Sequence, residues 1–192
     1  MFPTIQPGVL EVFCGPMKSG KTRELINRVD KVHFLDGHDF VFFKPAVDTR
    51  HEHIRSRFGE LTITCQRIPR DNPERILRES EGISLILIDE AQFFNRSVIS
   101  VVEELLHNKV NVVVAGLDLD FRGEPFGPMP TLLSQADEVT KLSAVCDVKG
   151  CAKRGVRTQR LIGGEPAPYD APIVRVEHSS GNETYEVRCL QH

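Results

Sequence analysis

The chain has 192 residues, and its 24 Lys and Arg against 27 Asp and Glu give a formal net charge of −3. This mild acidity argues against a dedicated nucleic-acid-binding protein, which usually carries a basic excess. No apolar run reaches the roughly 18 residues of a membrane span, and the N-terminal sequence lacks the charged start and apolar middle of a signal peptide. We therefore expect a cytosolic protein with neither nucleic acid nor membrane as a partner, in which the five cysteines are reduced or bind metal.

The chain up to Leu142 alternates between predicted strands and predicted helices. Strand patterns occur at 9–14, 40–44, 85–88 and 110–116, and helical patterns at 22–35, at 73–80 and after Asn95, the expected cap of that helix. Asn108 and Lys109 are predicted to lie in the turn that ends the third helix, and the polar residues 47–60 are predicted to form a loop. This alternation predicts an α/β fold with a parallel sheet flanked by helices.

The pattern changes after Leu142. The remaining residues contain three of the five cysteines, many glycines and prolines, and no long helical pattern. We therefore expect two units, an α/β domain at 1–142 and a small metal-stapled module at 143–192.

A phosphate-loop pattern, G-x-x-x-x-G-K-[ST], lies between the first predicted strand and the first predicted helix. Glycines allow the backbone to curl so that its N–H groups point at phosphate oxygens, and the start of a helix favours anions. In such loops the lysine neutralises the outer phosphates and the threonine hydroxyl ligates Mg²⁺. The residues predicted to bind ATP in this way are Gly15, Pro16, Met17, Lys18, Ser19, Gly20, Lys21 and Thr22. A chance glycine-rich turn is the alternative, and the strand–helix context argues against it.

Two acidic residues, Asp89 and Glu90, follow the apolar strand 85–88. Ligands of open α/β sheets bind at the carboxyl ends of the strands, so both carboxylates are expected at the nucleotide site. Asp89 suits a Mg²⁺-linked role, and Glu90 is placed to accept a proton from the group that attacks the γ-phosphate. That group is water in an ATPase and a substrate hydroxyl in a kinase, and the chemistry alone leaves both open. The plainer alternative is a solvated acidic pair at a strand end.

Four potential zinc ligands lie near the C-terminal end of the sequence: Cys146, Cys151, Cys189 and His192. Three thiolates and one imidazole complete a tetrahedral site with no open position, which is typical of structural zinc. The alternative is ordinary thiols and a histidine that bind no metal. Cys14 lies in the first predicted strand and Cys65 in a further strand expected around it, and both are expected to be small core residues.

Six motifs occur in one order along the chain: GPMKSGKT, KPAVDTR, IDEAQFF, GLDLDFRGEPFG, a cysteine pair followed by RTQRL, and a final Y-x-x-x-C-x-x-H. Together they resemble the small zinc-bearing thymidine kinases, the class related to the cytosolic enzyme of animals. The resemblance covers nearly the whole chain. It implies transfer of the γ-phosphate of ATP to the 5′-hydroxyl of thymidine, with Mg²⁺, in a homotetramer. It also implies a P-loop NTPase-type core and a C-terminal module with structural zinc and a lasso-like loop over the nucleoside.

The resemblance also assigns roles to single residues. Glu90 resembles the base that deprotonates the 5′-hydroxyl, Asp89 the Mg²⁺-linked aspartate, and Arg50 an arginine that approaches the ATP phosphates. Gln92 is similar to a glutamine of the active site, next to ATP and thymidine. The residues that resemble thymidine contacts are Met17, Leu117 and Thr158 around the base methyl group, Phe93 and Phe121 beside the base, Ser179 and Gly181 through their backbone, and Tyr185 at the end of the lasso.

Plainer interpretations and other functions stay open from the residues alone. Phe93 and Phe121 could be core residues, and Arg50 could be a solvated charge. The competing functions are an ATPase in which Glu90 orients water and a zinc-ribbon nucleic-acid-binding module regulated by ATP. A basic cluster around the first cysteine pair favours the latter, although the net charge does not; it comprises Lys149, Lys153, Arg154, Arg157 and Arg160.

Overall fold

The computed structural model describes residues 8–32, 39–46, 53–55, 62–173 and 182–192. The elements of the first part are β1 (Leu10–Cys14), α1 (Lys21–Val32), β2 (Phe40–Pro45), β3 (His53–Arg55), β4 (Thr62–Ile68), α2 (Arg75–Glu79), β5 (Leu85–Ile88), a 3₁₀ turn (Ala91–Phe93), α3 (Val98–His107), β6 (Asn111–Gly116), α4 (Met129–Gln135) and β7 (Glu138–Lys141). Those that follow are β8 (Ala144–Val145), β9 (Arg154–Gly155), β10 (Arg157–Ile162), β11 (Glu165–Pro166) and β12 (Glu183–Arg188).

The main sheet has seven strands in the order β3-β4-β2-β5-β6-β1-β7. All neighbouring strands are parallel except β3, which pairs antiparallel with β4 at one edge. The predicted α/β fold with a parallel sheet is therefore confirmed for six strands. The short strand β3 lies within 47–60, which the sequence predicted as a loop, and this part of the prediction was wrong.

Alternate residues of the central strands face opposite layers of helices, as the strand period of two requires. On one face they pack with α3, α4 and the buried Ile76 of α2, and on the other with α1. The first layer is built around Val12, Phe43, Ile88, Val114, Val102 and Leu105. The second is built around Phe13, Phe42, Leu87, Val113, Leu25 and Val29. Because β5 and β6 are buried on both faces, they read as continuous apolar runs in the sequence.

Helix α3 begins two residues later than its predicted cap implied. Asn95 Oδ1 accepts the backbone N–H of Ser97 at 3.0 Å, and Ser97 occupies the N-cap position itself. Asn95 therefore forms a turn ahead of the helix rather than capping it. At the other end Asn108 is the C-cap and Lys109 follows with φ +63°, which confirms the predicted helix-ending turn.

Residues after Leu142 form two small sheets, the hairpin β8-β9 and the antiparallel sheet β11-β10-β12. The second of these lies against the phosphate loop, since the N–H of Met17 donates to Thr158 Oγ1 at 3.1 Å. Within the described ranges, no helix has both the length and the apolar character needed to traverse a bilayer.

Candidate active site

The phosphate loop connects β1 to α1 at the carboxyl edge of the sheet. Gly15 has φ +138°, and a Cβ there would lie 2.4 Å from the carbonyl oxygen of Leu142. Gly20 has φ +91° at the start of α1, a conformation that side chains rarely adopt. The two glycines of the motif are therefore required by the backbone path, as expected for a loop that curls around phosphates.

Two polar side chains of the loop are directed inward. Lys21 is 8% exposed, and its ammonium donates to the carbonyl oxygens of Gly15 and Pro16 at 3.2 and 2.7 Å. Ser19 Oγ is buried and has no hydrogen-bond partner among the described residues. Burial lowers the pKa of Lys21, whereas the charges of Glu90 and Asp89 act to raise it. A buried cation and an unpartnered hydroxyl in a glycine-rich loop fit a polyphosphate.

Asp89 follows β5 directly and points at the start of α1. The Thr22 hydroxyl donates to Asp89 Oδ2 at 2.8 Å, and the backbone N–H of Glu90 donates to Asp89 Oδ1 at 2.9 Å. Asp89 is 6% exposed, so the alternative of a solvated acidic pair is wrong for this residue. Burial, followed by the charge of Glu90, raises the pKa of Asp89 to about 7. A hydroxyl and a carboxylate oxygen side by side are hard oxygen ligands, the donor set that Mg²⁺ prefers.

Glu90 has a backbone conformation that is uncommon for a residue with a side chain. Its φ is +51°, in the left-handed region where a residue other than glycine costs energy and is often functional. One of its carboxylate oxygens, Oε2, accepts the side-chain amide of Gln92 at 2.5 Å. The sharp turn after β5 thus buries Asp89 toward Thr22 and directs Glu90 to a separate, half-buried position.

Gln92 was predicted to lie next to the nucleotide and the nucleoside. The structure shows that both ends of its amide have protein partners, since Oε1 accepts the N–H of Leu117 at 2.9 Å while Nε2 donates to Glu90. Gln92 is 2% exposed. It therefore links the end of β5 to the residue that follows β6.

Of the predicted nucleoside contacts, Met17 and Thr158 contact each other, and both phenylalanines and Tyr185 contact residues that the sequence did not assign to the site. Met17 and Thr158 are joined by a hydrogen bond, and Phe93 meets the ring of Phe126 edge-on at 5.6 Å. The guanidinium groups of Arg122 and Arg160 lie over the ring of Phe121, at 5.8 and 5.4 Å from its centroid. Tyr185 is 37% exposed and pairs with Arg160 across β12 and β10. Three further predicted site residues, Arg50, Ser179 and Gly181, lie outside the described residues.

Arg160 is a residue whose importance the sequence did not reveal. It was assigned to a basic surface cluster, but its side chain is fully buried, unlike the exposed Lys149, Lys153, Arg154 and Arg157. Its guanidinium forms an ion pair with Glu183 and donates to the carbonyl oxygen of Pro172 at 2.6 Å. A buried arginine with these contacts organises β10 and β12 rather than binding an external polyanion.

The sequence also did not predict an ion pair that joins the two strands on either side of β1, close to the start of the phosphate loop. Lys141 Nζ, at the end of β7, lies 2.6 Å from Oδ2 of the buried Asp118, which follows β6. Since β1 lies between β6 and β7 in the sheet, this ion pair spans the strand that leads into the loop. No motif signals it, because the two residues are distant in sequence.

The four predicted zinc ligands lie together at the end of the hairpin β8-β9. Their ligand atoms are all within 4.8 Å of one another. The Nδ1 atom of His192 is 3.6 Å from Sγ of both Cys146 and Cys189, and Sγ of Cys151 is 4.0 Å from Sγ of Cys189. A tetrahedral zinc site with bonds of about 2.0–2.3 Å has ligand separations of roughly 3.3–3.8 Å. The two 3.6 Å separations lie in this range, and the wider ones would contract slightly around a bound ion, so the donor set and its spacing are compatible with zinc. All five cysteines are free.

Four residues separate Cys146 from Cys151, and a turn within them brings the two thiols together. The N–H of Cys151 donates to the carbonyl oxygen of Val148 at 2.9 Å, and Gly150 has φ +78°. Burial opposes ionisation of Cys146, but hydrogen bonds from the Val148 backbone and from His192 outweigh it and lower the pKa of this thiol to about 6. For Cys151 the Lys153 backbone favours the thiolate, but burial and the neighbouring thiols outweigh it and raise the pKa.

Comparisons with known proteins agree with the geometry. The family model described as thymidine kinase matches residues 8–192. A thymidine kinase of Coprothermobacter proteolyticus (strain ATCC 35245 / DSM 5265 / OCM 4 / BT) is 48% identical over 187 residues, which cover 97% of this chain and 91% of that protein.

Proposed function

Because the chain belongs to the thymidine kinase family and transfers a phosphoryl group from ATP to thymidine, we propose that the transfer occurs between the phosphate loop and Glu90. The observation that carries this proposal is the pairing of two carboxylates with different surroundings at the end of β5. Asp89 is buried against Thr22 at the mouth of the loop. Glu90 is turned aside by its left-handed backbone and is half-buried, where an incoming hydroxyl can reach it.

In this proposal Glu90 is the general base. The oxygen of the thymidine 5′-hydroxyl attacks the γ-phosphorus of ATP, the bond from that phosphorus to the bridging oxygen of ADP breaks, and the hydroxyl proton passes to Glu90. Lys21 and the loop N–H groups hold the phosphates and stabilise the negative charge on their oxygens. The products are thymidine monophosphate and ADP.

Two metals are part of the proposal, in different roles. Thr22 and Asp89 would hold the Mg²⁺ that accompanies ATP, and this ion neutralises phosphate charge. Cys146, Cys151, Cys189 and His192 would hold a structural zinc ion. With four protein ligands this site has no open position for a substrate, so its contribution is to the folding of the module.

The nucleoside would lie beside the phosphate loop, at the surface shared with β10. The Met17–Thr158 hydrogen bond supports this location, because both residues resemble contacts of the thymine methyl group. Leu117, Phe93, Phe121 and Tyr185 are the other described residues proposed to contact thymidine. Arg50 for the phosphates, and Ser179 and Gly181 for the base, are proposed on the motifs alone.

The assembly and location of the protein are also proposals. The motifs support a homotetramer that acts in the cytosol, with ATP and thymidine as partners and neither nucleic acid nor membrane. They also support a nucleotide-binding unit at 1–142 and a zinc-binding, nucleoside-closing unit at 143–192. Light scattering on the purified protein would test the number of subunits.

One assay tests the proposed reaction against hydrolysis. The protein is incubated with ATP and Mg²⁺, with and without thymidine, and thymidine monophosphate and inorganic phosphate are measured separately. We expect thymidine monophosphate to form in step with ADP and little phosphate to form in either sample. Phosphate release that is independent of thymidine would instead identify an ATPase.

A further inference from the structure

We propose that Gln92 is a positioning residue for Glu90, rather than a direct contact of the nucleotide or the nucleoside. The inference rests on the proposed function, in which Glu90 is the base. Its structural basis is the hydrogen-bonded chain from Glu90 Oε2 through the Gln92 amide to the backbone N–H of Leu117, with distances of 2.5 and 2.9 Å.

The orientation of the Gln92 amide is fixed by its partners. The N–H of Leu117 can only donate, so the amide oxygen must face Leu117 and the amide nitrogen must face Glu90. A flipped amide would place two donors against each other at Leu117 and two acceptors against each other at Glu90. The side chain therefore presents a donor to the carboxylate in a single orientation.

Two glycines keep the space that this arrangement needs. A Cβ at Gly116 would lie 2.8 Å from Gln92 Oε1, and a Cβ at Gly127 would lie 2.4 Å from the backbone oxygen of Gln92. Gln92 itself is 2% exposed. Gly116 thus lies close to the side-chain oxygen of Gln92, and Gly127 lies close to its backbone. A buried residue with such close neighbours has little freedom to move, and this restricts the carboxylate of Glu90 that it binds.

Glu90 needs such support because of where its backbone places it. Glu90 is the second residue after β5, has a left-handed backbone and is only half-buried, so core packing alone does not fix its side chain. A base must lie within hydrogen-bond reach of the proton that it accepts, and displacement by about 1 Å can cost up to 10²-fold in rate. Gln92 also joins Glu90 to Leu117, a proposed thymidine contact. The same side chain therefore positions both the base and a residue that would lie beside the nucleoside.

The variant Gln92→Met tests this role. Methionine has a similar length and removes both hydrogen bonds. We expect kcat to fall about tenfold, with KM for ATP and for thymidine within about threefold of the wild type, because a positioning residue acts on the reaction step. A raised KM with unchanged kcat would identify Gln92 as a substrate contact and would overturn the inference.

A double-mutant cycle separates positioning from a general structural effect. If Gln92 acts through Glu90, adding Gln92→Met to Glu90→Gln should cost less than about twofold further, because the base is already lost. The same fold-loss in both backgrounds would overturn the positioning role while leaving the proposed function intact. Wild-type turnover in Glu90→Gln alone would instead overturn the base assignment, and the inference with it.

Two other variants distinguish the positioning role from a loss of activity caused by misfolding. Gly116→Ala introduces a methyl group 2.8 Å from Gln92 Oε1 and 2.6 Å from Met129 Sδ, at the flexible end of that side chain. We expect a fall in kcat that disappears in the Glu90→Gln background. If Gln92→Met does not fold, Gly116→Ala takes its place in the test. A wild-type kcat for Gly116→Ala, or an equal loss of kcat in the Glu90→Gln background, would contradict the inference. Gln135→Met is the matched control, because Gln135 also donates to a glutamate, Glu103, but in an exposed pair outside the site. The kcat of this variant should match that of the wild type.

Discussion

The ammonium of Lys18, in the phosphate loop, lies 2.7 Å from Oδ2 of Asp147, the residue after the first cysteine of the metal cluster. The same Asp147 oxygen accepts the N–H of Val187 in β12 at 2.6 Å. With the Met17–Thr158 hydrogen bond, this ion pair makes a second connection between the loop that would bind ATP and the module that would bind zinc. The two connections hold the phosphate loop against the C-terminal sheet.

The Lys18–Asp147 pair should contribute less to stability than the Asp147–Val187 hydrogen bond. The Lys18 side chain is 53% exposed, and exposed ion pairs contribute about 0–1 kcal/mol. Val187 is fully buried, and leaving its N–H without an acceptor costs about 1–3 kcal/mol. We expect Asp147→Ala to lower the free energy of unfolding in urea more than Lys18→Met does. A larger effect for Lys18→Met would contradict this ranking, and Lys149→Met in the same turn serves as the control.

The metal cluster should hold one zinc ion per chain. Three thiol sulfurs and one imidazole nitrogen within 4.8 Å of one another motivate this expectation. Elemental analysis of metal-replete protein should give about one equivalent, and chelation should lower the melting temperature, because structural zinc contributes folding energy. Cys189→Ser should lose the metal, whereas Cys65→Ala, in β4, should retain it. A metal-free preparation with the full melting temperature would contradict the structural role.

The ionised carboxylate of Asp89 should lower the free energy of unfolding when Mg²⁺ and nucleotide are absent. Burial and the charge of Glu90 raise its pKa to about 7, above the value of about 3.9 in an unfolded chain. An acid whose pKa is raised by folding lowers stability above that pKa, and the penalty disappears as the pH falls toward the unfolded value. Asp89→Asn removes the charge and keeps an acceptor for Thr22.

We therefore expect Asp89→Asn to melt at a higher temperature than the wild type at a pH of about 8, and this advantage to shrink between about pH 7 and pH 4. Melting curves in chelator at several pH values would measure it. A difference in melting temperature that does not change with pH, or a lower melting temperature of the variant at about pH 8, would contradict the expectation. Activity should be lost in either case, because Asp89 is proposed to hold Mg²⁺.

Arg160 should matter for stability far more than its neighbour Arg157 on the same strand. Arg160 is fully buried and its partners include Glu183 and the carbonyl oxygen of Pro172. Arg160→Met removes the buried cation that binds Glu183 and the Pro172 carbonyl, and it should cost about 3 kcal/mol in the free energy of unfolding. Arg157 is exposed, and Arg157→Met should change it by less than about 0.5 kcal/mol. Equal effects in urea denaturation would show that the buried contacts contribute nothing.

The sequence predicted the centre of the sheet well and its edges poorly. Strands β5 and β6 are buried on both faces, so their apolar runs are visible without knowledge of the fold. The edge strand β7 alternates half-buried and exposed residues, and β3 has only three residues. Neither is long or apolar enough to be recognised alone, because the pairing with a neighbouring strand defines it.

The site shows a similar division between local and distant relationships. The phosphate loop and the acidic pair could be predicted because each is a short segment whose backbone and charge carry the chemistry. The partners of Gln92, Lys18 and Arg160 could not, because Leu117, Asp147 and Glu183 lie 25, 129 and 23 residues away. The zinc cluster was predicted from its residue types, while the turn at Gly150 that accommodates its wide spacing was visible only in the structure.

The central claim is that Glu90 accepts the proton of the attacking hydroxyl, and the variant Glu90→Gln tests it most directly. The change retains the shape of the side chain and removes its basicity. In a single-turnover reaction with ATP, Mg²⁺ and thymidine, we expect formation of thymidine monophosphate to slow by roughly 10²–10⁴-fold while the affinity for ATP, measured by calorimetry, stays within about threefold of the wild type. Near-normal transfer by this variant would contradict the account.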